Sequence, residues 1–255
     1  MLNTIIYIIA GLGAGIGTGL AGLSAAAVIS PMLVTFLDFN AYSAIGIALA
    51  SDVLASAASA YTYKKNGNLN VKDSLPMLFT VLIVTVIGSY IASLLPNSTL
   101  GSFSVYMTAL LGVKFLVKPV MNTKEANANK TKKQKLIQSV LCGIIIGFIC
   151  GFVGAGGGMM MLLILTSVLG YELKTAVGTS VFIMTFTALT GAVSHFTIDG
   201  SRIDLYALIM CISFTLIGAK GSAVFANKTD AKTLNRVTGA VLFLLGAAMI
   251  IVKNI

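Results

Sequence analysis

Three consecutive glycines, Gly156, Gly157 and Gly158, lie inside a stretch that is otherwise apolar from residue 136 to residue 169. Glycine costs about 1 kcal/mol in a helix interior relative to alanine, so a run of three predicts a break in the helix. A half-helix that starts after the break, at Met159, would present unpaired N–H groups and the positive end of its dipole to an oxyanion. The run is therefore a candidate anion site, and close helix packing through small residues is the alternative.

Hydroxyl side chains are the second candidate for anion contact. Gly178, Thr179 and Ser180 lie near the start of a later apolar segment, where the two hydroxyls would either donate to an anion or bond back to their own helix. Ser24 occupies the position equivalent to Gly156 in the internal repeat described below. We expect these residues to line the same site as the glycine run.

Asp52 is the only carboxylate far from a predicted membrane face. An acidic residue at that depth is a functional candidate, because burying its charge is costly unless a proton or a partner relieves it. It would bind a coupling proton or sodium ion; a protonated aspartate hydrogen-bonded across a helix interface is the alternative. A coupling role requires Asp52 to be protonated or cation-bound when an anionic substrate is present.

The single histidine, His195, falls opposite Tyr63 when the chain is shifted by 132 positions. Both residues are expected near a membrane face. Polar aromatic residues are common at membrane interfaces, which is one interpretation, and a role in gating, pH sensing or substrate access is the other.

The composition indicates an integral membrane protein. Of 255 residues, 57% are hydrophobic and 10% are charged, whereas a soluble domain carries about 25% charged residues. The net charge of +9 is concentrated in short loops, so it indicates topology and not nucleic-acid binding. Three cysteines lie in apolar segments without metal-ligand spacing, so we expect neither a metal nor a cofactor.

Eight apolar segments follow one another along the chain. Six of them have about the 20 residues of a membrane-spanning helix. The first and the fifth are longer than thirty residues and are interrupted by glycine. The segments are 4–37, 41–63, 75–95, 100–117, 136–169, 175–196, 205–225 and 234–252.

The two long segments are related in sequence. A shift of 132 positions superposes four glycines and a following Ala-x-Gly, which predicts an internal duplication. The halves are residues 1–118 and 136–255, and the polar, lysine-rich residues 119–135 form a cytoplasmic linker. The superposed pairs are Gly11 and Gly143, Gly15 and Gly147, Gly19 and Gly151, Gly22 and Gly154, Ala44 and Ala176, and Gly46 and Gly178.

The basic residues favour one of two topologies. If each long segment crosses the membrane once, the halves are parallel and the linker side holds 11 lysines and arginines against 4. If each is a re-entrant hairpin followed by three helices, the halves are inverted and the count is 13 against 2. Positive charge marks the cytoplasmic side, so the inverted hairpin arrangement is preferred.

The sequence GFVGAGGGMMMLLILTSVLGYELKTAVGTSV resembles the sulfite exporter TauE/SafE family, which carries a Gly-rich segment followed by Ala-x-Gly-Thr-Ser. The resemblance extends from Gly143 to Val252 and recurs more weakly from Gly11 to Val117. It implies secondary transport, generally export, of a small sulfur-containing or organic anion such as sulfite or a sulfonate. The first half departs from the family pattern, because it has Leu-Ser-Ala-Ala-Ala at 23–27 in place of the glycine run.

We therefore expect an all-α secondary transporter of the cytoplasmic membrane that works by alternating access coupled to an ion gradient. A passive anion channel is the alternative. The sequence contains no Gly-x-Ser-x-Gly or His-Glu-x-x-His motif and no paired intramembrane aspartates, so an enzyme is not expected. Its expected partners are the anion, the lipid bilayer and a coupling proton or sodium ion; a homo-oligomer is left open.

Overall fold

The architecture comes from a computed structural model that describes residues 2–96, 98–100, 131–154, 157–199 and 203–230, with isolated positions between 102 and 113 and between 233 and 251. The described residues form helices joined by short turns and contain no strand, which confirms the all-α class. The helices are α1 (Leu2–Ala21), α2 (Ile29–Leu37), α3 (Ala41–Lys65), α4 (Leu75–Ser93), α5 (Lys132–Val153), α6 (Gly157–Ser167), α7 (Leu173–Asp199) and α8 (Leu205–Lys228).

Six of these helices, namely α1, α3, α4, α5, α7 and α8, are long and apolar enough to cross a membrane. Large apolar side chains such as Phe79 and Ile83 point outward and are 63% and 67% exposed, as expected of a lipid-facing surface. The protein is therefore a multi-pass membrane protein. The predicted segments 100–117 and 234–252 lie mostly outside the described residues.

The C-terminal end of the predicted linker overlaps the start of α5. Thr131 caps α5 by accepting from the Gln134 N–H, while the Gln134 side chain accepts from the Thr131 N–H. This capping box satisfies free backbone donors and starts the helix at Lys132. The last four residues of the predicted linker are therefore helical.

Hairpin 1, residues 2–37, comprises α1, a 3-10 turn at Ala25–Ala27 and α2. Gly22 ends α1 with a φ of 64°, a left-handed conformation that a residue with a side chain adopts only with strain. The rings of Tyr7, near the start of α1, and Phe39, just after α2, lie 6.5 Å apart. Because these two rings meet, α2 returns toward the end from which α1 started.

Hairpin 2, residues 132–167, comprises α5 and α6. Gly154 ends α5 with a φ of 67°, nearly the same value as Gly22. Leu136, at the start of α5, and Leu169, just after α6, line one cavity, so α6 also turns back. It begins at Gly157, two residues before the expected start at Met159.

The hairpins reach into the protein from opposite ends. Helices α3 and α7 are antiparallel, because Gly46 packs on Phe196 while Gly178 packs on the Asn68 carbonyl. The open end of hairpin 1 lies at the start of α3, and the open end of hairpin 2 lies at the start of α7. This geometry supports the inverted repeat, which stays a prediction.

Each hairpin packs on a helix of the other half through its glycine-lined face. Along α1, the glycines lie against successive turns of the parallel helix α8, and along α5 they lie against α4 in the same way. Small residues let the helix backbones approach closely, which stabilises helix pairs in membranes. The glycines are Gly11, Gly15 and Gly19 in α1, and Gly143, Gly147 and Gly151 in α5.

Candidate functional site

The tip of each hairpin is the turn between its two helices: residues 22–28 in hairpin 1, and Gly154 with the start of α6 at Gly157 and Gly158 in hairpin 2. The two tips meet inside the protein. A methyl group placed at Gly158 would overlap the Gly22 carbonyl oxygen and lie 2.7 Å from the Ser24 nitrogen. A methyl group at Gly154 would lie 3.0 Å from the Ala26 Cβ. Both breaks and the 3-10 turn are therefore in direct contact. Gly156 lies outside the described residues, so its predicted role has no structural description.

Asp52 belongs to the middle of α3, lies beside the tip of hairpin 1 and is completely buried. Its Oδ2 accepts from the Ala25 N–H at 3.0 Å, and its Oδ1 accepts from the Ser56 hydroxyl at 2.7 Å. The Ser24 and Thr18 hydroxyls lie beside the same carboxyl group. The N-terminal end of the 3-10 turn therefore faces the Asp52 carboxyl group. The positive end of a helix dipole stabilises a carboxyl group in its ionised form.

Met184 holds the corresponding position in the second half, because it is 132 residues after Asp52. Its Sδ would lie 2.7 Å from a methyl group at Gly158. Ser180 lies one turn away, and its hydroxyl donates to the Gly22 carbonyl oxygen at 3.1 Å. The tip of hairpin 2 therefore faces a thioether, where the tip of hairpin 1 faces a carboxyl group and the Ser180 hydroxyl.

The glycines of hairpin 2 also meet a packing requirement. A methyl group at Gly157 would overlap the Cys150 sulfur, which belongs to the last turn of α5. Gly157 and Gly158 are buried, and neither position has room for a side chain without movement of its neighbours. Close packing and backbone exposure to a ligand are thus compatible explanations for the same two residues.

Two of the predicted anion contacts lie away from the tips. Gly178 packs on the Asn68 carbonyl, and the Thr179 hydroxyl oxygen accepts from the Asn70 N–H at 3.1 Å. Both residues face the loop that follows α3. Within the Gly178-Thr179-Ser180 triplet, only Ser180 makes a described contact with a hairpin tip.

Tyr63 and His195 are both completely buried, so neither is an aromatic residue exposed at a membrane face. The Tyr63 hydroxyl donates to the Gly19 carbonyl oxygen at 3.0 Å. The Nε2 of His195 lies 3.0 Å from the Gly151 carbonyl oxygen. Gly19 and Gly151 are equivalent under the shift of 132, so these aromatic residues contact equivalent positions, one turn before each break.

A cavity of about 490 Å³ opens near the start of α5, on the linker side. Lys72, Asp73, Lys135 and Tyr171 are among its lining residues. Burial, together with the nearby Asp73 carboxylate, raises the pKa of Tyr171 to about 12. The Tyr171 hydroxyl therefore stays protonated at neutral pH and can donate a hydrogen bond into the cavity.

Several tip residues are not identifiable from their types alone. Thr18, Ser56 and Cys150 resemble ordinary packing residues in the sequence, and Met184 is one of 11 methionines. The shift of 132 from Asp52 could have identified Met184. Among the described residues, no group of three or more His, Cys, Asp or Glu side chains could hold a metal ion.

Comparisons with known proteins agree with the membrane architecture. A family model described as "Sulfite exporter TauE/SafE" matches residues 7–249. The chain is 27% identical to the probable membrane transporter protein YunE of Bacillus subtilis, with 98% of each chain covered. It is 26% identical to a probable membrane transporter protein of Methanocaldococcus jannaschii, covering 96% of this chain and 95% of that protein.

Proposed function

Because the chain belongs to the sulfite exporter TauE/SafE family of membrane transporters, we propose that it exports a small oxyanion, such as sulfite or a sulfonate, across the cytoplasmic membrane. The main support for this proposal is the contact between the two hairpin tips, where Gly158 packs against Gly22 and Ser24. Broken helices at membrane depth are typical of transporter substrate sites, because the ends of half-helices carry free backbone groups.

The substrate binds mainly at the tip of hairpin 2. The start of α6 contributes backbone N–H groups at Gly157 and Gly158. The Ser180 hydroxyl donates to the Gly22 carbonyl oxygen of the facing tip, so it contributes its one donor to the substrate only when it gives up this bond. These groups stabilise the negative charge of an oxyanion. The matching place in hairpin 1 already holds the Asp52 carboxyl group.

Asp52 couples transport to an ion gradient. An ionised carboxylate near the tips repels an anionic substrate, so a proton or a sodium ion must bind Asp52 when the substrate is present. Its full burial and its hydroxyl neighbours suit either ion. Binding of the ion and the anion together then favours the conformation that moves both.

Alternating access follows from the opposite directions of the hairpins. Hairpin 1 with α8 and hairpin 2 with α4 rock against α3 and α7, so that the tips face one side of the membrane and then the other. The glycine-lined faces keep each hairpin attached to its helix during this movement.

The test uses the purified protein in liposomes with labelled sulfite and an imposed proton or sodium gradient. We expect accumulation above the external concentration, and competition by sulfonates. Uptake that only equilibrates, with no dependence on either gradient, would instead identify a passive channel. A complete lack of flux and binding for sulfite, sulfate, thiosulfate, sulfonates and carboxylates would contradict the proposal.

A further inference from the structure

His195 has a carbonyl oxygen at each ring nitrogen. Its Nδ1 lies 3.2 Å from the Tyr42 carbonyl oxygen, and its Nε2 lies 3.0 Å from the Gly151 carbonyl oxygen. A neutral imidazole carries one N–H, so it can donate to only one of these oxygens. The doubly protonated ring donates to both. The geometry therefore matches an imidazolium cation.

The surroundings of His195 also suit a cation. The Tyr42 ring lies against the imidazole with centroids 4.1 Å apart and an angle of 32°, and aromatic faces attract cations. Tyr42 is the titratable group that α3 presents, while α4 contributes Ser89, whose hydroxyl also donates to the Gly151 carbonyl at 3.3 Å. In α7 itself, Asp199 follows four residues later in the sequence.

In the first half of the protein, the equivalent hydrogen bond comes from Tyr63 and does not depend on binding of an extra proton. Tyr63 donates to Gly19 through a hydroxyl that stays protonated throughout the neutral range. The equivalent link in the second half depends on a ring that changes its charge between about pH 5 and pH 8 in ordinary surroundings. The two hairpins are therefore attached by equivalent bonds of different chemistry.

We propose that His195 is a proton-binding residue that fastens the end of α5 to α3 and α7 by joining the carbonyl groups of Gly151 and Tyr42. The proton adds to the ring nitrogen that lacks one, and no other covalent bond changes. Loss of that proton removes one donor, so the ring keeps one carbonyl and releases the other. His195 thus positions hairpin 2, and proton binding at this residue regulates the mobility of its tip.

The effect on substrate movement rests on the proposed transport function, but the proton site and the attachment of hairpin 2 can be measured without transport. Because the chain contains one histidine, ¹⁵N-histidine labelling gives one pair of ring signals. In detergent at about pH 6 we expect both nitrogens to be protonated, with conversion to the neutral ring as the pH rises toward about 9. A neutral ring throughout this range would overturn the proposal.

Cysteine labelling measures the attachment of hairpin 2. The Cys150 sulfur packs on Gly157 within hairpin 2, whereas Cys211 belongs to α8 and only its backbone lies against Gly11 of hairpin 1, so Cys211 is a buried reference thiol outside hairpin 2. The experiment uses a Cys142→Ser background. Each labelling rate is divided by that of the unfolded chain at the same pH, because the thiolate fraction itself rises with pH.

We expect the corrected Cys150 rate to rise at least about tenfold between pH 6 and pH 9, while the Cys211 rate stays constant. His195→Tyr gives hairpin 2 the hydroxyl link of hairpin 1, so it should remove this pH dependence. His195→Phe should label quickly at both pH values, and Asp199→Asn should keep the wild-type pattern. Persistence of the pH dependence in His195→Tyr would contradict the proposal even if transport itself is never detected.

Discussion

The first helices of the two hairpins end in nearly the same backbone conformation, but the surroundings of the two tips differ in chemistry. Each first helix ends at a glycine in the left-handed conformation, Gly22 or Gly154, and each tip lies beside the middle of a long helix. At that helix, hairpin 1 faces Asp52 and hairpin 2 faces Met184. Under the proposed function, the Asp52 carboxyl group occupies the place beside the first tip, whereas the positive end of the α6 half-helix at the second tip stays available to an external anion.

Giving the second tip the chemistry of the first should have the largest effect. Met184→Asp would place a carboxylate beside Gly158, where the substrate is proposed to bind. Two like charges about 4 Å apart repel by about 4 kcal/mol at an effective dielectric constant of about 20, so we expect sulfite transport to fall at least about 100-fold. The control is Met184→Leu, which keeps the side-chain volume. Equal transport by the two variants would show that the tips do not differ as proposed.

Removing the charge of the first tip should separate coupling from binding. Asp52→Asn keeps an oxygen that can accept from Ala25 but cannot titrate. Coupling between sites is typically worth about 1–3 kcal/mol, so gradient-driven accumulation should fall about tenfold while sulfite exchange continues. The control is Asp38→Asn, because asparagine also tolerates the left-handed conformation at that position. Unchanged gradient dependence would make Asp52 a structural residue.

The bond between Ser180 of α7 and the tip of hairpin 1 should contribute a smaller effect. Ser180→Ala removes the donor to the Gly22 carbonyl, a bond worth about 1 kcal/mol, so the concentration of half-maximal transport should change about fivefold. Thr187→Val is the matched control, since its hydroxyl donates only within α7. The assignment of Ser180 to the site fails when both variants behave alike.

Thr179 should show the smallest effect on transport. Thr179→Val leaves the Asn70 N–H without its acceptor, so thermal unfolding in detergent should show a loss of about 1 kcal/mol. Sulfite transport by the remaining folded protein should stay within about twofold of wild type. A loss as large as that of Ser180→Ala would return Thr179 to the substrate site.

The sequence predicts the helical class, the two interrupted segments and the positions of both breaks. Apolar length and glycine spacing carry that information, because a bilayer requires long helices and glycine weakens them. The left-handed residues Gly22 and Gly154 are among the glycines that the shift of 132 superposes. Asp52 is identifiable at once as a buried charge in an apolar segment.

The details of the site depend on helix rotation, which composition does not specify. Thr179 and Ser180 are adjacent, yet successive residues of a helix point about 100° apart, so one faces the loop after α3 and the other faces Gly22. Tyr63 and His195 lie near helix ends, where an interfacial or a buried position is equally compatible with their type. Both side chains are buried because α1 and α5 pack against α3 and α7, which their residue type does not predict.

The pairing of α1 with α8 has a consequence for the synthesis of the chain. The Gly15 carbonyl of α1 accepts from Ser222, a residue 207 positions later. The ribosome must therefore produce most of the protein before the first membrane helix meets its partner. Until then, the glycine-lined face of α1 has to be shielded by lipid or by the insertion machinery, which makes the unfinished chain a natural target for quality-control proteases.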